Sequence, residues 1–164
     1  MTYKYSYLSP LGSITIASDG EAIIGLWFDG QKYFGDTLES EAIECDLPIF
    51  RLTVKWLDIY FSGKEPDFVP QIMLRTTPFR EAVCNIMRSI PYGHTITYGE
   101  IADIIAEQRG IKRMSAQAVG GAVSHNPISI IIPCHRVIGS DGSLTGYAGG
   151  IDKKIKLLEL EKAL

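Results

Sequence analysis

The chain reads as an α+β protein in two parts, a strand-rich first half and a mainly helical second half. Three observations predict this. Short β-favouring runs separated by turn residues fill the first 30 residues. Capped segments with apolar residues at helical spacing follow from Thr77 onward. The charge balance also reverses: residues 1–75 hold six Lys/Arg against eleven Asp/Glu, and residues 76–164 hold ten against eight. A single cut at this point gives domains of 1–75 and 76–164.

In the first half, Tyr3–Leu8 and Ser13–Ala17 are strands, with Pro10 and Gly12 forming a hairpin turn between them. Ile23–Phe28 is a third strand, entered after Ser18-Asp19-Gly20. The acidic stretch Asp36–Asp46 reads as a solvated loop or short helix. A helix over Pro48–Phe61 presents Ile49, Leu52, Trp56, Ile59 and Tyr60 on one face and ends at Ser62-Gly63. The result is a small sheet with a covering helix.

In the second half, Thr77 caps a helix with Pro78 at its first position and an apolar stripe of Phe79, Val83, Ile86, Met87 and Ile90. Pro91-Tyr92-Gly93 stops it. Thr97, with Glu100 three residues on, caps the next helix, whose Ile101, Ile104 and Ile105 face inward. A basic turn, Arg109–Arg113, leads to Ser115, which caps a helix of small residues over Ala116–Val123. His125-Asn126-Pro127 ends it. Two capped helices joined by a turn suggest a helix-turn-helix, although the connection exceeds the usual three or four residues. Gly120-Gly121 costs this helix up to ~1 kcal/mol per glycine. Either another backbone, such as a nucleic acid's, approaches that face, or two helices pack tightly there. The tail from Asp152 to Leu164 is a last helix with Ile155, Leu157 and Leu158 inward and Lys153, Lys154 and Lys156 solvated.

The chain has 164 residues, 46% of them apolar and 21% charged, the balance of a globular protein. The run Ile128–Ile132 is far short of the roughly 20 apolar residues of a membrane span. No basic-then-apolar leader opens the chain, so the cytoplasm is the expected compartment. The net charge of −3 argues mildly against a nucleic-acid partner, but the positive second half could carry such a contact. Cys45, Cys84 and Cys134 are odd in number, widely spaced and free of any CxxC pair. Neither a disulfide framework nor a metal site is expected, and all three should be thiols.

The chemistry concentrates in Ile130-Ile131-Ile132-Pro133-Cys134-His135-Arg136-Val137-Ile138-Gly139. A cysteine beside His and Arg sits in a locally cationic setting, which should lower its pKa and raise its thiolate fraction. A thiolate is the soft nucleophile that displacement at a saturated carbon needs. The competing reading is a buried structural cysteine, the commoner fate of a lone Cys. His94 and His125 read as exposed turn residues.

Pro133-Cys134-His135-Arg136-Val137 resembles the active-site motif of the O6-alkylguanine-DNA alkyltransferases, the methylated-DNA–protein-cysteine methyltransferases. The similarity extends through Thr77-Pro78-Phe79, Ile90-Pro91-Tyr92-Gly93, Thr97-Tyr98-Gly99-Glu100-Ile101-Ala102, Ala118-Val119-Gly120-Gly121-Ala122, Asn126-Pro127 and Gly142-Ser143-Leu144-Thr145-Gly146-Tyr147-Ala148-Gly149-Gly150. It is specific over roughly residues 77–161. Before that it is limited to Tyr60-Phe61-Ser62-Gly63 and the strand-rich start.

The resemblance implies an RNase-H-like sheet domain, then a helical domain with a winged-helix-like helix-turn-helix that enters the minor groove of double-stranded DNA. The damaged guanine would be flipped into a pocket, because a nucleophile cannot reach the alkyl carbon inside a duplex. Cys134 would take the alkyl group in one irreversible step without a cofactor. His135, oriented by Glu161, would act through a water as base. Asn126 would brace the turn. Tyr98 would press the 3′ phosphate and donate a hydrogen bond to the leaving base. The backbone of Cys134 and Val137 would read the guanine edge, and the loop from Ser143 through Tyr147 to Ala148 would wall the pocket. Ser115, Gln117, Gly120 and Arg136 complete the expected DNA-binding set. Without the resemblance, Glu161 is a solvent-facing acid, Tyr98 a packing aromatic and Asn126 a helix terminator.

Three departures stand out. Gln117 occupies the position where the family commonly has an arginine that enters the base stack. Ala148 stands where some members have serine. The zinc-ligand set that some members carry in the first half is missing. Three other readings compete with alkyl transfer: a damage sensor that binds alkylated DNA without transfer, a helix-turn-helix regulator, and a Cys-His thiol hydrolase. The sensor proteins lack the cysteine. The regulator leaves the Cys-His-Arg segment unexplained, and adjacent Cys and His side chains rarely form a direct nucleophile–base pair. A one-shot acceptor needs no partner subunit, so a monomer is expected. The alkyl range, including O4-alkylthymine, stays open.

Overall fold

The computed structural model describes residues 1–144 and 146–164. Thr145, part of the similarity noted above and of the expected pocket wall, lies outside the described residues. The chain forms two compact units. The first comprises Met1–Arg75 and Pro127–Ile131, and the second comprises Thr76–Asn126 and Ile132–Leu164. A single cut at 75/76 therefore misplaces residues 127–131. Backbone pairing explains the difference. The Leu26 N–H donates to the Pro127 carbonyl (2.9 Å), and the Ser129 N–H donates to the Leu26 carbonyl (2.9 Å). These bonds tie the segment to the edge of the first unit's sheet.

That sheet contains β1 (Tyr3–Ser9), β2 (Gly12–Ser18), β3 (Ile23–Phe28) and β4 (Ile43–Glu44), in the order β3-β2-β1-β4. The β1–β2 hairpin pairs Tyr3 with Ser18 and Ser9 with Gly12, so the turn is two residues long. β4 runs parallel to β1, so the acidic stretch is turns followed by a two-residue edge strand rather than a helix. β3 is buried along its whole length, and its outer edge is closed by bridges to Ile72 and Ile128. Glycine is required within it at Gly25, where a Cβ would stand 2.0 Å from the Trp27 ring.

α1 (Pro48–Phe61) covers the sheet, stacking Phe50 on Tyr5 with ring centroids 5.7 Å apart. Its buried face is Ile49, Phe50, Thr53, Trp56, Leu57 and Tyr60. Leu52, expected on that face, is 40% exposed. Ile130 adopts φ 70°, a left-handed conformation that costs a β-branched residue on the order of 1–3 kcal/mol.

The second unit contains α2 (Pro78–Arg88), β5 (Ile96–Thr97), α3 (Tyr98–Arg109), α4 (Ala116–Ser124), a 3-10 turn (Cys134–Arg136), β6 (Val137–Ile138) and α5 (Ile151–Leu160). The caps form as their sequences predict. Thr77 Oγ1 accepts from the Arg80 N–H (3.3 Å), and Thr97 Oγ1 accepts from the Glu100 N–H (3.0 Å). Ser115 Oγ accepts from the N–H groups of Gln117 (3.1 Å) and Ala118 (3.2 Å). Gly110, at φ 64°, closes α3 in the left-handed conformation a C-terminal glycine supplies. α3 packs on α4, and α2 packs on both. β5 pairs with β6 in parallel, Ile96 opposite Val137, which fixes the turn bearing Cys134 beside the start of α3. Among the described residues, no helix is long and apolar enough to cross a membrane.

Candidate active site

Cys134 is placed by its backbone. Pro133 has φ −82° and ψ 67°, an inverse γ-turn closed by the Cys134 N–H on the Ile132 carbonyl at 2.8 Å. Asn126 braces the same carbonyl through its Nδ2 (2.8 Å) and also hydrogen-bonds to the Cys134 side chain. The cysteine opens the 3-10 turn and is 5% exposed.

His135 and Arg136 turn away from the sulfur toward one carboxylate. His135 Nε2 lies 2.5 Å from Glu161 Oε2, and Arg136 Nε donates to Glu161 Oε1 at 2.7 Å. Oε1 also accepts the Gly93 N–H at 3.2 Å, while Arg136 Nη1 donates to the Ile90 carbonyl at 2.7 Å. Glu161 is the C-cap residue of α5 and is 3% exposed, so it is no solvent-facing acid. Arg136, expected among the DNA-binding residues, is instead a buried partner of Glu161.

This arrangement overturns the expected electrostatics. Burial pushes the Cys134 thiol above its ordinary pKa; the Asn126 hydrogen bond and the Lys154 charge pull it partly back. Neither His135 nor Arg136 is a cause. Burial likewise lowers the His135 pKa, against the opposing pull of Glu161. His135 is therefore a neutral imidazole near pH 7, its Nε2–H given to Glu161 and its lone pair on Nδ1. Cys84, buried on α2, is pushed up to about 12 by burial and by Cys134. That leaves it inert as a nucleophile.

Lys154 was missed. Helical spacing from the solvated Lys153 and Lys156 makes it an ordinary surface lysine, but it is fully buried on α5. Its Nζ donates to the Val137 carbonyl at 2.5 Å and lies 5.9 Å from the Tyr98 ring centroid. A signal was present: Leu157 and Leu158, three and four residues on, put Lys154 on the inward face of the helix, unlike Lys153 and Lys156.

Beside this cluster lies an open cleft of about 750 Å³ between the start of α3, one face of α4 and the loop from Gly139 to Gly146. Tyr98, Gln117, Gly120, Gly121 and Gly146 line it. Gly146, at φ 88°, lies so near Tyr98 that a Cβ would stand 3.0 Å from the phenol oxygen. A Cβ at Gly121 would meet nothing within 4 Å, and one at Gly120 only Tyr98, so the glycine pair faces the cleft rather than a packed helix. Ser115 lines a second hollow with Arg113 and Asp103. Ser143 carries the loop's turn, its carbonyl accepting the Gly139 N–H (2.8 Å). Tyr147 is buried and Ala148 half-buried on the same loop. Cys134, His135, Glu161, Asn126 and Val137 thus gather at one centre. Tyr98, Gln117 and Gly120 gather at the cleft.

Comparison with known proteins follows this geometry. The family model described as 6-O-methylguanine DNA methyltransferase, DNA binding domain, matches residues 78–163. The companion model for the ribonuclease-like domain matches residues 2–72. The chain belongs to the 6-O-methylguanine DNA methyltransferase family. A protein of Mycobacterium tuberculosis named methylated-DNA–protein-cysteine methyltransferase is 43% identical over 155 residues, covering 94% of this chain and 89% of its own. The Haemophilus influenzae protein of that name is 41% identical over 162 residues, covering 98% and 86%. The crystal structure of the M. tuberculosis protein in complex with DNA superposes with a TM-score of 0.86 at 41% identity, covering 98% of this chain and 93% of that one.

Proposed function

We propose that this methyltransferase-family protein repairs DNA by moving the alkyl group of an O6-alkylguanine onto the Cys134 sulfur, once per molecule. The observation that carries this reading is the buried Glu161–His135 pair, joined through one turn of chain to a cysteine whose neighbour Tyr98 lines an open cleft. Family membership supplies the reaction class, and the site supplies the means.

Neutral His135 takes the thiol proton through a water at Nδ1, while Glu161 stabilises the imidazolium that results. The thiolate attacks the alkyl carbon. A carbon–sulfur bond forms as the carbon–oxygen bond breaks, and the electron pair stays on the guanine oxygen. The base then takes up one proton and leaves as guanine. Arg136 and the Gly93 N–H hold the second carboxylate oxygen, so the base-orienting group cannot rotate. Asn126 positions the sulfur.

The lesion reaches the centre by flipping out of double-stranded DNA read from the minor groove. The exposed face of α4 meets the duplex, with Gln117 at the gap and the N–H groups and hydroxyl at Ser115 toward phosphate. Tyr98 contacts the flipped nucleotide, the Val137 backbone its edge, and Ser143, Tyr147 and Ala148 its outer side. The thioether is a stable carbon–sulfur bond that thiol exchange does not reverse, so the protein acts a single time; one acceptor cysteine per chain suffices, which suits a monomer. A free, unoxidised thiol is needed, which suits the cytoplasm.

The test is intact-protein mass after mixing with excess duplex carrying one O6-methylguanine, followed by peptide mapping. One added methyl per chain on Cys134, with no further repair, is expected. Lesion-selective binding with no mass gain would make the protein a damage sensor instead.

A further inference from the structure

Tyr98 opens α3 directly after its cap, Thr97. The hydroxyl of Thr97 accepts the Glu100 N–H, and its backbone pairs opposite Ile138, so the point from which the Tyr98 ring projects is fixed. Three elements then meet the ring. Lys154 of α5 has its Nζ 5.9 Å from the ring centroid, and a Cβ at Gly120 of α4 would stand 4.0 Å from Cδ1. The phenol end meets the loop before α5, where a Cβ at Gly146 would stand 3.0 Å from the oxygen and 4.0 Å from Cζ. The two glycines differ in what they allow. A Cβ at Gly120 would make ordinary van der Waals contact, whereas one at Gly146 would force the phenol or the loop to give by a few tenths of an ångström. Gly146 also has φ 88°, a conformation that an L side chain adopts only with strain. Tyr98 and Gly146 line the same open cleft. Burial raises the pKa of the phenol, which therefore keeps its proton at neutral pH and remains a donor.

We propose that Gly146 is a positioning residue of the transfer centre: its missing side chain fixes where the Tyr98 phenol oxygen stands in the cleft, and through that oxygen it sets how fast the alkyl group moves. This rests on the alkyl-transfer reading above, which puts Tyr98 against the flipped nucleotide. Gly146 takes no part in the bonds that form and break. It acts through Tyr98, as the wall that the phenol end meets. Rates are steep in such placement. A misplacement of about 1 Å can cost about 100-fold, so a shift of a few tenths of an ångström should cost roughly tenfold. A glycine here thus does two things at once: it turns the loop at a positive φ and leaves the space that the phenol oxygen occupies.

The experiment crosses Gly146→Ala with Tyr98→Phe in the full chain. The second change removes the oxygen that a Cβ at 146 would crowd but leaves the strain at φ 88° in place. Single-turnover methyl transfer at saturating O6-methylguanine duplex and the urea midpoint are measured for the parent, both single variants and the double variant. Gly146→Ala is expected to slow transfer about tenfold when Tyr98 is present, but less than about threefold relative to Tyr98→Phe alone. Its loss of urea midpoint should also be smaller in the Tyr98→Phe background. Gly142→Ala is the control for strain. At φ 84° it strains the same loop, but its Cβ would meet nothing within 4 Å, so it should lower the midpoint and leave the rate at the parent value. If Gly146→Ala folds poorly, Gly146→Asn places a Cβ at the same point in a residue that tolerates positive φ better, and the same rescue by Tyr98→Phe is expected. An unslowed Gly146→Ala, equal slowing in both backgrounds, or equal slowing by Gly142→Ala would overturn the proposal and leave Gly146 a turn residue. A parent that accepts no methyl while the midpoints still couple would keep the Gly146–Tyr98 contact and count against the alkyl-transfer reading alone.

Discussion

Cys134 holds its reactivity in a side chain only 5% exposed, on a turn that Asn126 braces through the Ile132 carbonyl. Its removal should be selective. Cys134→Ala is expected to abolish methyl transfer, measured by mass, while lesion-duplex affinity in a gel-shift titration stays unchanged. Retained transfer would point to Cys45 or Cys84. Glu161 carries more of the architecture, since it answers His135, Arg136 and the Gly93 N–H together. Glu161→Gln leaves the buried Arg136 charge without its anion, which should cost about 3 kcal/mol in urea denaturation. Transfer, measured well below the melting range, should slow about 100-fold as the base loses its orienting carboxylate. Loss of stability without loss of rate would remove Glu161 from the proton path.

At the scale of elements, α4 is built to present a bare face. Its cap is complete, yet it has two glycines where alanine would hold a helix better. Nothing lies within 4 Å of a Cβ at Gly121, so Gly121→Ala should raise stability by about 0.5–1 kcal/mol in thermal or urea unfolding. Gly121→Glu should weaken duplex binding by placing charge and bulk on the open side; unchanged affinity would mean that α4 does not meet the DNA. Gln117 lies exposed on the same cleft. An arginine there offers a charge and a planar stacking surface that glutamine lacks. Gln117→Arg is expected to tighten duplex binding or quicken repair, read from binding isotherms and single-turnover rates. No gain in either would show that filling the gap left by the flipped base is not limiting. The elements themselves were legible because their signals are local. Thr77-Pro78, Thr97 with Glu100, and Ser115 each fix a helix start through atoms within three residues. The exposed Leu52 was not legible, because helical spacing gives the period of a stripe but not its centre.

Over the whole molecule, burial sets the response to acid. His135 is kept neutral in the fold and binds a proton more readily when unfolded. The unfolded chain therefore takes up more protons once the pH falls below the ordinary histidine value of 6.5. Stability contributed by this site is fully present above that value and is lost as the pH falls beneath it. Urea midpoints compared at about pH 7.5 and about pH 5.5 should show the decline, and a flat profile would mean that His135 is charged in the fold.

The first three strands, the helices with their caps, the reactive segment and the family were legible in the chain alone, because each is written in neighbouring residues or in a motif with fixed spacing; the two-residue strands β4, β5 and β6 were not. The partners of the charges around the reactive turn came from the tertiary fold. Arg136 and His135 flank Cys134 in the chain, but the 3-10 turn aims them at Glu161 from the end of α5. Lys154, 20 residues on and read from its lysine neighbours as solvated, is buried with its Nζ on the Val137 carbonyl. The segment 127–131 likewise joins the first unit through two backbone bonds to Leu26 that no local pattern announces. The physical reason is the same in each case. Electrostatics and sheet-edge pairing act through space across short distances, and sequence adjacency fixes neither the direction a side chain takes nor the water that burial removes.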